Sequence, residues 1–210
     1  MKKLISTASL SGLVVSTIGF SNQVLAVDVE GKTTSATVKY TEGKLGDESF
    51  GSGLPDNLNF GSHKIQNKIA ENWIATDNGI DGGTATTGKL NVNDARGSKA
   101  GWSVKVAQTD QFTEKGGTGK LTKAALTITT GSASNTGGTA ATGGKINSSL
   151  TLVPGKGNEQ LVFGAKAATG DGISTLDLTK FELAVPAETA RKAVEYQVSL
   201  TWTLSDIPAS

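Results

Sequence analysis

The 210-residue chain has no cysteine and a single histidine. The first absence excludes disulfide scaffolds, thiolate metal centres, iron–sulfur clusters, cysteine nucleophiles and lipid attachment through a cysteine. The second excludes a multi-histidine metal site. Charge of neither sign dominates, with 20 basic against 19 acidic side chains, so nothing pulls the chain toward nucleic acid or anionic lipid. No Gly-x-Ser-x-Gly elbow occurs, and no motif points to a cofactor. What is abundant is glycine: 27 residues, about 13% against a usual ~7%. With a hydrophobic fraction of 36%, this describes a globular chain with many turns. Its length suits one domain, and a chain of this size hides about 70% of its unfolded surface.

The first 26 residues read as an address. Met1-Lys2-Lys3 precedes an apolar, small-residue run from Leu4 to Phe20, and Val24-Leu25-Ala26 follows. A basic start, a short apolar stretch and small residues before a cut site make a secretory signal peptide. The run is too short and too rich in Ser and Thr for a membrane span. Cleavage after Ala26 would leave 18 basic and 19 acidic side chains, a net charge of −1. The expected organisation is thus a leader, 1–26, and one domain, 27–210.

That domain reads as all-β, an antiparallel sandwich or barrel-like fold with long Gly/Thr/Asn-rich loops and at most one short helix. Short Thr/Val/Ile/Leu runs alternate with Gly/Asn/Asp/Ser clusters. The expected strands are Ser35–Tyr40, Leu90–Asp94, Gly101–Gln108, Leu121–Thr130, Ile146–Val153, Gln160–Phe163, Leu178–Ala184 and Ala193–Ser205. In the last, Val194, Tyr196, Val198, Leu200, Trp202 and Leu204 alternate with polar residues, which places all six on one face. Ile65, Ile69 and Trp73 are spaced four apart, so His63–Thr76 is expected to be a short helix or an irregular segment. Gly131–Gly144 and Asp77–Gly88 read as loops. Leu58-Asn59-Phe60-Gly61 precedes Trp102-Ser103-Val104 by about the distance that separates Leu161-Val162-Phe163-Gly164 from Trp202-Thr203-Leu204. This hints at two related halves, about 54–108 and 158–206.

Three segments together carry a family resemblance. The ending Tyr196–Pro208 contains Trp202-Thr203-Leu204. The stretch Val92–Val104 contains Asp94-Ala95-Arg96-Gly97 and then Trp102-Ser103-Val104. Leu58-Asn59-Phe60-Gly61 lies upstream of both. The chain resembles the WxL family of surface proteins from low-GC Gram-positive bacteria, over about Leu54 to Ser210. Val104 replaces the Leu of the motif but fills the same strand-facing role. The resemblance implies non-covalent attachment to the cell wall, chiefly peptidoglycan, alongside other cell-surface proteins encoded with it, and no enzyme activity. The expected site of action is the cell surface after secretion. No Leu-Pro-x-Thr-Gly sorting signal occurs, Leu54-Pro55-Asp56-Asn57 being the nearest approach, and no transmembrane anchor is expected.

The candidate ligand-binding residues are Trp73, Trp102, Trp202 and Leu204. A tryptophan face can stack on a sugar ring. Trp102 and Trp202, however, lie on alternating apolar faces, where core burial is the stronger expectation. Trp73, among Glu71, Asn72, Thr76 and Asp77, is balanced between packing and contact. His63 reads as a solvated loop residue. Asp77–Gly82 fails as a calcium loop, since Gly79 and Gly88 stand where ligands are needed. Asp94 and Arg96 read as a structural ion pair. Catalytic residues and metal ligands are expected to be absent. Two other functions stay open: a subunit that docks on partner surface proteins through an edge strand, and a wall hydrolase with a carboxylate pair.

Overall fold

The computed structural model describes residues 35–47, 49–66 and 68–210. The expected leader lies outside them. The chain divides into two units, Met1–Lys39 and Tyr40–Ser210. The second unit contains eleven strands and, among the described residues, no helix. They are β1 (Glu71–Ile74), β2 (Gly88–Asp94), β3 (Trp102–Gln108), β4 (Thr113–Glu114), β5 (Ala125–Thr136), β6 (Gly143–Gly144), β7 (Ser149–Thr151), β8 (Gln160–Ala165), β9 (Gly172–Val185), β10 (Tyr196–Gln197) and β11 (Leu200–Ser205).

All pairings are antiparallel. The larger sheet runs β1-β9-β5-β7, with β2 also on β9, and the smaller runs β11-β3-β8-β6. β9 is the organiser. On one edge it pairs with β5 along most of its length, while its other edge takes β2 against Gly172–Leu178 and β1 against Glu182–Val185. One apolar cluster joins both sheets. Leu90, Val92, Leu126, Ile128, Leu176, Leu178 and Phe181 come from the larger, and Trp102, Val104, Val106, Val162 and Phe163 from the smaller. Alternation delivers them: β5 and β9 bury every second residue over much of their length. The architecture is an all-β sandwich with no closed barrel.

Four expectations about elements change. His63–Thr76 is not helical: β1 occupies its second half, and Ile65 and Ile69 are exposed. β9 is 14 residues long and β2 only 7, so on the edge that β2 occupies Glu182–Val185 would lack a partner without β1. Strand pairing by Trp73 and Ile74 outweighs a weak helical spacing. Second, β5 continues through Gly131–Thr136, inside the stretch read as a loop, because the first half of β9 offers it an edge from Ala133↔Leu176 to Thr136↔Ile173. Third, Ala193–Ser205 is broken at Val198-Ser199. The chain changes partner there, from Glu114 and Thr113 to Gln108 and the rest of β3. Fourth, Ser35–Tyr40 forms no strand, and Ile146–Val153 narrows to Ser149–Thr151.

The irregular stretch 43–60 closes one side of the sandwich. Gly46 N donates to Asn93 O (2.7 Å), Lys89 N to Gly53 O (2.7 Å) and Thr76 N to Asn59 O (3.0 Å). This protects the outer edge of β2, while Leu45, Phe50, Leu54, Leu58 and Phe60 pack on the core. At the opposite end of the chain, Ala209 N bonds Ala165 O (3.0 Å). Its methyl lies where a Cβ on Gly143 or Gly164 would come within 2.6 Å, so glycine at these positions lets the C-terminal segment lie on the smaller sheet.

Candidate functional site

Each of the four candidate residues has a definite place. Trp102 begins β3 and is fully buried. Its ring meets Phe163 edge-on, with centroids 5.1 Å apart at 78°, a favoured aromatic geometry. Its indole N–H donates to Gly170 O at 2.9 Å, so the one polar atom of the side chain is satisfied inside the core.

Three loops meet at this end of the sandwich. Ala168 N bonds Lys99 O (2.8 Å) and Gly170 N bonds Thr139 O (2.8 Å). Thr139 N donates to Asp171 Oδ1 (2.9 Å), and that bond holds the Asp171 carboxyl below the usual carboxylate range. Gly170 has φ +78°, and a Cβ there would stand 2.2 Å from Ala165 Cβ and 2.8 Å from Trp102 Nε1. Gly170→Ala is therefore expected to combine left-handed backbone strain of about 1–2 kcal/mol with overpacking of about 1–3 kcal/mol. Urea denaturation followed by tryptophan fluorescence measures the sum.

The Asp-x-Arg-Gly approach to Trp102 is a clasp. Asp94 ends β2, and Arg96 folds back on it with Nε–Oδ1 and Nη2–Oδ2 both at 2.8 Å. Arg96 Nη2 also donates to Gly101 O (2.7 Å), next to Trp102. These bonds to Arg96 are the main reason the Asp94 carboxyl titrates below its ordinary range. The fork geometry suits a guanidinium and a carboxylate, and it fixes the turn that leads into β3.

Trp202 and Leu204 lie on β11 opposite Val106 and Val104. Paired residues share a face, so both point inward. They are half-buried because β11 is the last strand of its sheet. Trp73 pairs with Leu183 and is likewise half-buried. Its indole lies parallel to the His63 ring, with centroids 3.4 Å apart at 10°, and a ring nitrogen of His63 is 2.6 Å from Phe60 O. Beside it, Glu71 Oε2 is 3.1 Å from Arg191 Nη2, which donates to Pro186 O (3.2 Å), while Nη1 reaches Gln66 O. The structure thus brings Trp102 and Phe163 together, aligns Trp202 and Leu204 on the neighbouring strand, and sets Trp73 apart on the other sheet.

Two surface grooves went unmarked in the sequence. One, of about 400 Å³, lies over β2 and β9 and is lined by Gly53, Lys89, Asn91, Asp177 and Thr179. Lys89 and Asp177 are ion-paired at 3.5 Å, and Thr175 donates to Asn91 Oδ1 (2.9 Å). The other, of about 460 Å³, lies by β4 and β10 and includes Asp110 and Glu114. Each of these carboxylates holds a lysine, Asp110 with Lys120 (2.7 Å) and Glu114 with Lys192 (2.8 Å), and each is thereby held below the usual range. A general acid needs the opposite shift. Among the described residues, no group of three acidic or histidine side chains is placed to hold a metal ion.

The model of the WxL domain, described as a surface cell wall-binding domain, matches residues 53–208. The chain belongs to the WxL family. No curated protein and no solved structure matches the chain. The family match begins at Gly53, whose carbonyl accepts from Lys89 N of β2, and extends past β11 to Pro208. The WxL domain is thus a cell wall-binding domain of the cell surface, and both of its tryptophan motifs lie on adjacent strands of one sheet, β3 and β11. Among the described residues, no helix is long and apolar enough to cross a membrane.

Proposed function

We propose that this WxL protein is exported and holds the cell wall non-covalently through peptidoglycan, without turnover. The observation that carries this is the use of the motif residues as packing. Trp102 is enclosed with its N–H satisfied, and Trp202 and Leu204 face inward. Wall contact then falls to other surfaces, and the outer face of the larger sheet supplies the right chemistry. Lys89, Asn91, Asp177 and Thr179 line the open groove there, offering a cation, an anion, an amide and a hydroxyl within one patch. Peptidoglycan presents acetamido groups, carboxylates and amines, which such a set can bond side by side.

Each polar contact is worth about 0.5–1.5 kcal/mol, so binding of useful strength requires several contacts at once, on a polymer that repeats. Co-sedimentation of residues 27–210 with peptidoglycan stripped of proteins and teichoic acids tests the reading. The chain is expected to pellet saturably and to release no soluble sugar. Lys89→Ala/Asn91→Ala/Asp177→Ala is expected to pellet at least tenfold less, with an unchanged circular dichroism spectrum. A folded wild-type chain that stays in the supernatant would show that peptidoglycan is not the ligand.

A further inference from the structure

We propose that the segment Ser35–Tyr40 of one copy of this chain adds as a fifth strand to the free edge of β11 in a second copy. Two independent features point there. The first is the edge itself. Thr109 N donates to Ser199 O (3.1 Å), and the β11–β3 register continues from Leu200↔Gln108 to Ser205↔Ser103. In an antiparallel pair, bonding toward the partner alternates. Thr201, Thr203 and Ser205 therefore turn their backbone groups toward β3. Leu200, Trp202 and Leu204 turn theirs away, and among the described residues those groups have no partner. This edge is six residues long, with no Pro, Lys or Glu to blunt it. β2, by contrast, is covered by the 43–53 stretch. Unprotected edges of this kind recruit strands.

The second feature is the occupant. Ser35–Tyr40 reads Ser-Ala-Thr-Val-Lys-Tyr, alternating and rich in strand-forming residues. It nevertheless belongs to no strand, and Val38 and Tyr40 are 77% and 87% exposed. Ala36, Val38 and Tyr40 have the same i, i+2, i+4 spacing as Leu200, Trp202 and Leu204. Laid beside β11, they would cover the exposed parts of these three half-buried side chains, and backbone bonds would supply the affinity. Each copy carries one such segment and one such edge, so two copies can satisfy one another by exchange, as a closed two-fold dimer.

Sedimentation equilibrium and residue-resolved amide exchange on residues 27–210 test this together. The mass is expected to rise from one copy to two with concentration, and the amides of Leu200, Trp202 and Leu204 to become slow to exchange as it does. Val38→Pro removes a donor and disrupts strand pairing. It is expected to weaken self-association at least tenfold and return those three amides to fast exchange. Thr201 and Thr203, bonded to β3, should stay protected, which shows the sandwich intact. Tyr40→Asp should weaken association in the same direction. A single-copy mass at every concentration with the three amides fast overturns the proposal, as does association that Val38→Pro leaves unchanged. Protection of the three amides at single-copy mass also overturns it and assigns the segment to the edge of its own chain.

Discussion

Trp102→Ala is expected to remove about 3–5 kcal/mol of stability, most of what a domain of this size possesses. The side chain is fully buried at the start of β3, braced edge-on by Phe163. Truncation leaves a cavity that cannot collapse, because β-strands fix the surrounding backbone on both sheets. It also strips Gly170 O of the indole donor, and an unsatisfied buried acceptor adds its own penalty. Trp102→Phe separates these contributions. It keeps an aromatic ring against Phe163 but loses the N–H, and is expected to cost about 1–3 kcal/mol. Denaturant unfolding gives both values. Wall pelleting, corrected for the folded fraction, is expected to be the same for wild type and Trp102→Phe. A variant with wild-type stability and lost pelleting would show that Trp102 touches the wall after all. Trp202→Ala should fall between the two, since Trp202 is only half-buried on β11.

This contrast between the two motif tryptophans was partly legible in the sequence. Alternation placed Trp102, Val104 and Val106 on the apolar face of one strand and Trp202 and Leu204 on that of another; the register, which alternation does not report, sets Val106 and Val104 opposite Trp202 and Leu204. Alternation reports which face a residue takes, not how deep in the sheet its strand lies. Trp102 is enclosed because β3 is central, between β11 and β8, whereas Trp202 is less so because β11 is terminal. Strand order depends on contacts remote in sequence, so a local pattern cannot supply it. The same limit explains β1. Its helical spacing was real, but the open edge of β9 more than 100 residues later decided the outcome. It also explains His63, which has no local signal for stacking on Trp73. The Asp94–Arg96 pair was readable because both partners lie within three residues of each other. The Lys89–Asp177 groove was not, because β2 and β9 bring together residues 88 positions apart.

Asp94→Ala is expected to cost about 3–5 kcal/mol, the range for breaking one side of a buried ion pair. The Asp94 side chain is 1% exposed and that of Arg96 19%, so the carboxylate in particular cannot turn to water when its partner is lost. Arg96→Ala should be more severe, since among the described residues it leaves the buried carboxylate with one donor, the backbone N–H of residue 96. The double variant should cost less than the two single changes added together, because each single change already breaks the same bonds. Acid provides a second readout. The Arg96 hydrogen bonds lower the Asp94 pKa in the folded state. The folded chain therefore holds fewer protons than the unfolded one between the two values, and stability falls as pH falls. The contribution is complete above the unfolded carboxyl pKa, about 3.9, and is lost as pH drops through the lower folded value. Wild type should thus lose stability steeply below about pH 4, and Asp94→Asn should start lower and decline less. The clasp also donates to Gly101 O, one residue before Trp102, so its loss should loosen the entry to β3. Amide exchange at Ser103 and Val104 should then quicken before the rest of the sandwich opens. If exchange instead quickens uniformly, the clasp stabilises the domain as a whole and not the turn that positions Trp102.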